Sequence, residues 1–141
     1  MAKNRKLRII LDTNLWISYL ISKQLKSIDR LLEKDRITFI FSSGFLEEFL
    51  EVVERPKFKD YFSAKDIQIL LNLFDVYGEL VDVKSKVKVC RDEKDDFLLS
   101  LAKDGKVDYL ITGDEDLLVL KSFEGTKIVT YSEFELLEII D

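Results

Sequence analysis

Leu7-Arg8-Ile9-Ile10-Leu11-Asp12-Thr13-Asn14 is the stretch on which the reading of the fold turns. Leu7–Leu11 is short and mostly apolar, which reads as a buried strand, and the apolar-rich residues after Asp12-Thr13-Asn14 read as a helix to about Ile21. Outward from this unit the alternation repeats. Leu25, Ile28, Leu31 and Leu32 fall at helical spacing, Ile37–Phe41 is β-branched and aromatic like a strand, and a helix from about Ser43 to Glu54 stops at Arg55-Pro56. Residues 57–80 read as helical. Val81, Val83, Val87 and Val89 alternate with Asp82, Lys84, Lys86 and Lys88, which predicts an extended, half-exposed strand or strand-like segment. Asp95–Lys103 reads as a helix, Tyr109–Thr112 as a strand, Asp114–Leu120 as a short helix, Thr126–Thr130 as the last strand, and Ser132 onward as the last helix. Strands separated by helices imply βαβ units, hence an α/β fold: a three-layer α/β/α arrangement with a mainly parallel central sheet of about five strands.

The bulk properties narrow the chemistry. A chain of 141 residues forms one domain, residues 1–141, with 47% hydrophobic residues to build its core. The net charge of −5 and pI near 4.9 argue against coating nucleic acid through bulk positive charge. They leave room for an acidic site that recruits cations, since a bound metal reverses the local sign. Cys90 is the one cysteine and there is no histidine. Disulfides within the chain, Cys-rich zinc sites, Ser-His-Asp hydrolysis and His-ligated metals are thereby excluded. The apolar run behind the basic start Met1–Arg8 is too short for a signal-peptide core or a membrane span, so a soluble, cytoplasmic protein is expected.

Ligands of open parallel sheets bind beyond the carboxyl ends of the strands. Asp12 stands directly after the first strand, and Asp114 two residues after Thr112. Asp95 shares a helical face with Leu98, Leu99 and Ala102, whereas Asp96 aligns with Ser100 and Lys103. One carboxylate of that pair therefore points along the buried side, where an isolated charge needs a partner. Of the acids on the Ser43–Glu54 helix, Glu47, Glu51 and Glu54 form the solvent face, and Glu48 lies at the edge of the apolar arc beside Val52. Oxygen donors without imidazole or thiolate suit Mg²⁺ or Mn²⁺, and two such ions can drive phosphodiester hydrolysis. Each acid also has a plainer explanation: Asp12 as a helix cap, Asp95 and Asp114 as helix-start acids facing the macrodipole.

Four blocks in order resemble the PIN-domain family, which includes VapC-type toxins of toxin–antitoxin pairs. They are Ile9-Ile10-Leu11-Asp12-Thr13-Asn14; Ser42-Ser43 with Glu48 and Glu51–Phe58; Cys90–Asp96; and Tyr109–Leu118. Together they span nearly the whole chain. The resemblance implies metal-binding, catalytic roles for Asp12, Glu48, Asp95 and Asp114, with Asp116 as an extra metal-binding acid, and supporting roles for Thr13, Asn14 or Thr112. Glu93 departs from the family, which often carries proline there, and this bears on loop stiffness. The implied activity is divalent-metal-dependent endoribonuclease action, by in-line attack of activated water, leaving 5′-phosphate and 3′-hydroxyl ends. An RNA substrate, an antitoxin protein set against the acidic cleft and a homodimer are the partners it implies.

Other features carry two readings. The lysine row Lys84, Lys86, Lys88 reads first as protection of a sheet edge and second as an RNA guide. The basic tail Lys3, Arg5, Lys6, Arg8 shares that ambiguity. Trp16 and Tyr19 fit core packing or a dimer surface better than a base-stacking platform, and Cys90 reads as a small buried side chain. A receiver-like phosphoacceptor domain would want adjacent acids after its first strand, and Thr13-Asn14 stand there instead. A Mg²⁺ phosphatase would need a nucleophilic Asp motif and a cap insertion. The alternative function kept open is a non-catalytic PIN-like module that binds RNA or a protein.

Overall fold

Ile9, Ile10 and Leu11 are all fully buried, and since successive strand residues point to opposite faces, their strand must be covered on both sides. The computed structural model, which describes residues 6–22 and 26–139, places that strand, β1 (Leu7–Leu11), in the interior of a six-stranded sheet. Two helices, α1 (Thr13–Ser22) and α2 (Lys26–Glu33), lead to β2 (Ile37–Phe41), and three more, α3 (Ser43–Val53), α4 (Pro56–Lys59) and α5 (Ala64–Tyr77), lead to β3 (Gly78–Leu80). A long connection and α6 (Glu93–Asp104) return to β4 (Tyr109–Ile111). Then come α7 (Glu115–Leu118), β5 (Ser122–Phe123), β6 (Thr126–Val129) and α8 (Tyr131–Ile139). The strand order is β3-β2-β1-β4-β6-β5, parallel throughout except for β5 against β6.

The chain first winds outward from β1 through β2 to β3, then crosses to β4 on the far side of β1. The order reverses between β1 and β4, and it is there that an open α/β sheet leaves a crevice beyond its strand ends. Leu11 pairs with Ile111 at the last rung, and the Asp12 N–H donates to the Ile111 carbonyl at 3.0 Å, so both strands end side by side at that crevice.

Both faces are packed. On one, Phe39 of β2 meets Trp16 of α1 edge-on, with ring centroids 4.7 Å apart, and Trp16 lies 5.0 Å from Phe74 of α5. On the other, Ile40 lies against Gly105 at the end of α6. Trp16 is therefore a core residue. Tyr19 packs edge-on against it and donates its hydroxyl to Asp29, and burial with that bond pushes the phenol up to about 12.

Two strands differ from the sequence reading. β5 is an added antiparallel strand, closed by Glu124 (φ 45°) and Gly125 (φ 89°); two left-handed residues in a two-residue hairpin match the sheet's twist. β3 lies upstream of the alternating valines, where α5 passes into a strand without a loop at Gly78. A Cβ there would stand 2.8 Å from the Phe41 ring and closer still to the Phe74 carbonyl, so glycine is required.

Past Leu80 the Val81 amide still donates to the Phe41 carbonyl at 2.8 Å, and the rest of the valine segment pairs with no strand among the described residues. Its backbone is held by side chains of α6 instead. Asp104 accepts from the amides of Lys84 and Ser85, buried Ser100 from Val87, and Asp96 from Val89 and Cys90. These acceptors recur every four residues, one stripe of a helix. What reads as a polar, solvent-facing stripe is the seam for a strap, and the lysines of that strap stand on no sheet edge. Of the basic tail, Lys3 and Arg5 lie outside the described residues, Lys6 pairs with Asp35, and Arg8 grips Glu79 through two bonds of 2.9 Å.

Replacing Trp16 by alanine is expected to destabilise the fold by about 3–5 kcal/mol, the usual range for a large buried aromatic. Urea denaturation followed by far-UV circular dichroism measures this, and a loss below about 1 kcal/mol would return Trp16 to the surface.

Candidate active site

Asp12, Glu48, Asp95 and Asp114 line a single cleft of about 660 Å³ at the crevice between β1 and β4. Each comes from a different element. Asp12 follows β1 and its carbonyl accepts from Leu15 and Trp16 in the first turn of α1. Glu48 projects from α3, whose start is fixed by the Ser42 hydroxyl accepting from Phe45, while Glu47, Glu51 and Glu54 stay exposed. Asp95 sits in the first turn of α6, which Asp92 caps through the Lys94 amide. Asp114 caps α7 by accepting from the Asp116 amide at 2.9 Å. For Asp114 the capping and site readings both hold.

Thr112 ties two of these acids together. Its hydroxyl donates to Asp12 Oδ2 at 2.6 Å and accepts from the Asp114 amide at 3.1 Å. Thr112 is fully buried, so the bridge has no competing water-facing rotamer. Thr13 is buried and Asn14 exposed at the cleft wall, and their amides draw the Asp12 carboxyl downward. Burial outweighs that pull, along with the one from Thr112, and leaves Asp12 above its ordinary range.

Asp95 is the most constrained acid. It is 6% exposed, and its Oδ2 is buried with no donor to satisfy it. Burial pushes its carboxyl up to about 7, with further contributions from the neighbouring Asp114 and from the charges of Asp92 and Asp12. Such a group is stable as a neutral acid or beside a cation.

Asp116 stands apart from the cleft lining, yet an oxygen from each of Asp95, Asp114 and Asp116 lies within 4.8 Å of the others. Its carboxylate is held by Arg91 at 2.8 and 3.1 Å, which neutralises it from outside. The acids thus form two overlapping sets that share Asp95 and Asp114. Among the described residues it is Asp95, Asp114 and Asp116 whose oxygens gather within 4.8 Å, while Asp12 and Glu48 share the cleft lining with the first two. All donors are oxygens and one is an unsatisfied buried carboxylate oxygen, which fits a hard divalent cation such as Mg²⁺ or Mn²⁺.

The same cleft contains residues the sequence reading passed over: Arg55, Lys57, Phe58, Lys94 and Phe97. Arg55 and Lys57 flank the proline that ends the Ser43–Glu54 helical pattern, and that break gives no face on which to place them. Lys84, Lys86 and Lys88 are absent from the lining. Cys90 is half-buried, and burial with the nearby Asp96 pushes its thiol up to about 11.

A family model described as a PIN domain matches residues 8–116, the span from β1 through the acids of α7. The chain belongs to the PIN-domain family. PIN domains are generally nucleases, which places this one among the hydrolases at that level. An uncharacterized protein of Methanocaldococcus jannaschii is 29% identical to this PIN domain over 120 residues, covering 82% of this chain and 76% of its own length. The crystal structure of VapBC2 from Rickettsia felis, bound to a DNA fragment from their promoter, has a TM-score of 0.53 at 19% identity. It covers 86% of this chain and 97% of that one, a likeness of fold. No helix among the described residues is long and apolar enough to cross a membrane.

The raised carboxyl of Asp95 has a measurable consequence. The folded chain keeps its proton up to about pH 7, whereas an ordinary Asp releases it near 3.8. Between those values the folded state binds more protons, so this group's contribution makes stability fall as pH rises. In EDTA, raising the pH through that window should lower the Tm of the wild type relative to Asp95→Asn. Adding Mg²⁺ or Mn²⁺ above the window should restore it. A gap between the two proteins that does not change with pH would show that Asp95 titrates normally.

Proposed function

We propose that this PIN domain is a divalent-metal-dependent endoribonuclease, with Asp12, Glu48, Asp95 and Asp114 as the cation-holding acids. The observation that carries this reading is the buried, donor-less Asp95 oxygen among three further acids in one cleft. Mg²⁺ or Mn²⁺ held there would supply an activated water and offset the charge that develops on the phosphodiester. The chain's own contribution is positioning. Thr112 and the Thr13 and Asn14 amides orient the Asp12 carboxylate, and Thr112 also fixes the loop that carries Asp114. Burial keeps the Asp95 carboxyl protonated up to about pH 7, so a cation bound there displaces that proton and its affinity rises with pH. Asp116, whose carboxylate Arg91 grips, is a further oxygen donor within 4.8 Å of Asp95 and Asp114. Addition of water at phosphorus with loss of the 3′ oxygen leaves a 5′-phosphate and a 3′-hydroxyl.

We assign the enzyme further to the toxin side of a toxin–antitoxin pair, acting in the cytoplasm. Support comes from the family and from the fold it shares with the Rickettsia felis VapBC2 structure. An antitoxin would lie against the acidic cleft, and a homodimer would extend it into a longer groove.

Purified protein given a mixed-sequence single-stranded RNA should cut it with Mg²⁺ or Mn²⁺ and not with EDTA. Asp12→Asn and Asp95→Asn are each expected to lower the rate by at least about a hundredfold with the fold retained by circular dichroism. Full activity in either variant would remove that residue from the set. No cutting with either cation would favour the binding-module reading.

Thr112→Val keeps the shape and removes the bridge, and should weaken cation affinity or activity by about 10–100-fold. Cation titration followed by thermal shift measures it, and unchanged affinity would reduce Thr112 to a packing role.

A further inference from the structure

A chain of net charge −5 whose cleft is walled by carboxylates repels a phosphodiester backbone unless positive charge is concentrated beside those acids. The inference here rests on the nuclease reading and asks where that charge is. Several basic residues are already committed. Arg91 is bound to Asp116, Lys103 pairs with Glu124, and Lys84 lies 4.0 Å from Asp82. Three cations line the cleft itself: Arg55, Lys57 and Lys94. Among the described residues none of the three has an ion-pair partner.

Their placement follows from the backbone. Val53 ends α3 and Pro56 opens α4, and Arg55 between them, held extended by the proline that follows (φ −63°, ψ 145°), leaves the helical stripe and lines the cleft wall with Glu48 and Val52. Lys57 follows on α4 with its ammonium 5.3 Å from the Phe58 ring centroid, and Phe58 lines the same wall half-buried. Lys94 is on α6, one residue before Asp95. All three are exposed, as groups that bind a ligand rather than hold the fold should be. Two partly exposed aromatic faces, Phe58 and Phe97, give the cleft surfaces on which unpaired bases can stack.

We propose that Arg55, Lys57 and Lys94 are the grip on the sugar–phosphate backbone of single-stranded RNA, flanking the phosphodiester presented to the acids. The strap lysines Lys84, Lys86 and Lys88 take no part. Charge at Arg55 and Lys57 stands beside Glu48, and charge at Lys94 beside Asp95, so the backbone is held on both sides of the acid set.

The test separates binding from cleavage. A fluorescein-labelled mixed-sequence single-stranded RNA is titrated by anisotropy against the full chain carrying Asp12→Asn and Asp95→Asn, across a series of KCl concentrations. Each lost phosphate contact should reduce the slope of log K against log[salt] by about 0.7. Arg55→Ala with Lys57→Ala should therefore flatten the slope by about 1.4 and weaken binding at least about tenfold at low salt, with Lys94→Ala removing about 0.7 more. Arg55→Lys with Lys57→Arg should restore the slope, which excludes misfolding as the cause. Lys84→Ala with Lys86→Ala and Lys88→Ala should leave it unchanged. The grip is overturned if the Arg55/Lys57 variant keeps the parent's slope, if the strap variant loses it, or if the parent shows no salt-dependent binding. Binding through Arg55 and Lys57 in a protein that cuts nothing would uphold the grip and sink the nuclease reading. Cutting by wild type with KM unaltered by Arg55→Ala/Lys57→Ala would do the reverse.

Discussion

The pairing of β1 with β4 is the contact on which the rest of the site depends. These strands are distant in sequence and adjacent in the sheet because the winding direction reverses between them. That reversal opens a crevice at their carboxyl ends, since the connections on the two sides leave in opposite directions. Asp12 and Asp114 enter it because each follows its strand closely, and the Thr112 hydroxyl joins them across the gap. Moving either strand by one residue would exchange its inward and outward side chains and dissolve the cluster.

Asp95 reaches the same crevice by a different route. It is carried by α6, whose path is set by a strap tied to Asp96, Ser100 and Asp104. The helix thus divides its surface three ways: Leu99 and Ala102 into the core, the polar stripe against the strap, and Asp95 with Leu98 into the cleft. A buried carboxylate oxygen with no donor is unfavourable for the free chain, and a cation is the partner that removes the penalty. The local arrangement therefore leaves a strongly perturbed acid at the cleft, as functional sites commonly do.

The surroundings of the acids have their own logic. The chain is acidic overall, and the cleft that gathers its acids also carries Arg55, Lys57 and Lys94 in its lining. Arg91 is instead bound to Asp116, whose carboxylate stays within 4.8 Å of Asp95 and Asp114. Positive charge near the site is thus split between Arg91, paired with an acid, and three cations with no ion-pair partner among the described residues.

Much of this was legible in the sequence. The apolar run ending in Asp12-Thr13-Asn14, the apolar face shared by Asp95, and the position of Asp114 after Thr112 are local patterns, and local periodicity dictates which side of an element is buried. Glycine at Gly78 and the Glu124-Gly125 hairpin were equally local but too short to register as strands. What only the tertiary structure decided are relations between distant residues. The alternating valines obey strand periodicity because one face is buried, but burial does not say whether the backbone partner is a strand or a row of helix side chains. Glu48 sat at the edge of an apolar arc, and only the packing of α3 against the β1–β4 crevice turned it inward. Asp116 matches the other acids in type and position, and only the fold brings Arg91 against it and its carboxylate within 4.8 Å of Asp95 and Asp114. Sequence determines which side chains must be buried and which elements form, because those depend on neighbours within a few residues; which buried or charged groups meet is decided by the sheet order, because that depends on contacts the chain makes with itself at long range.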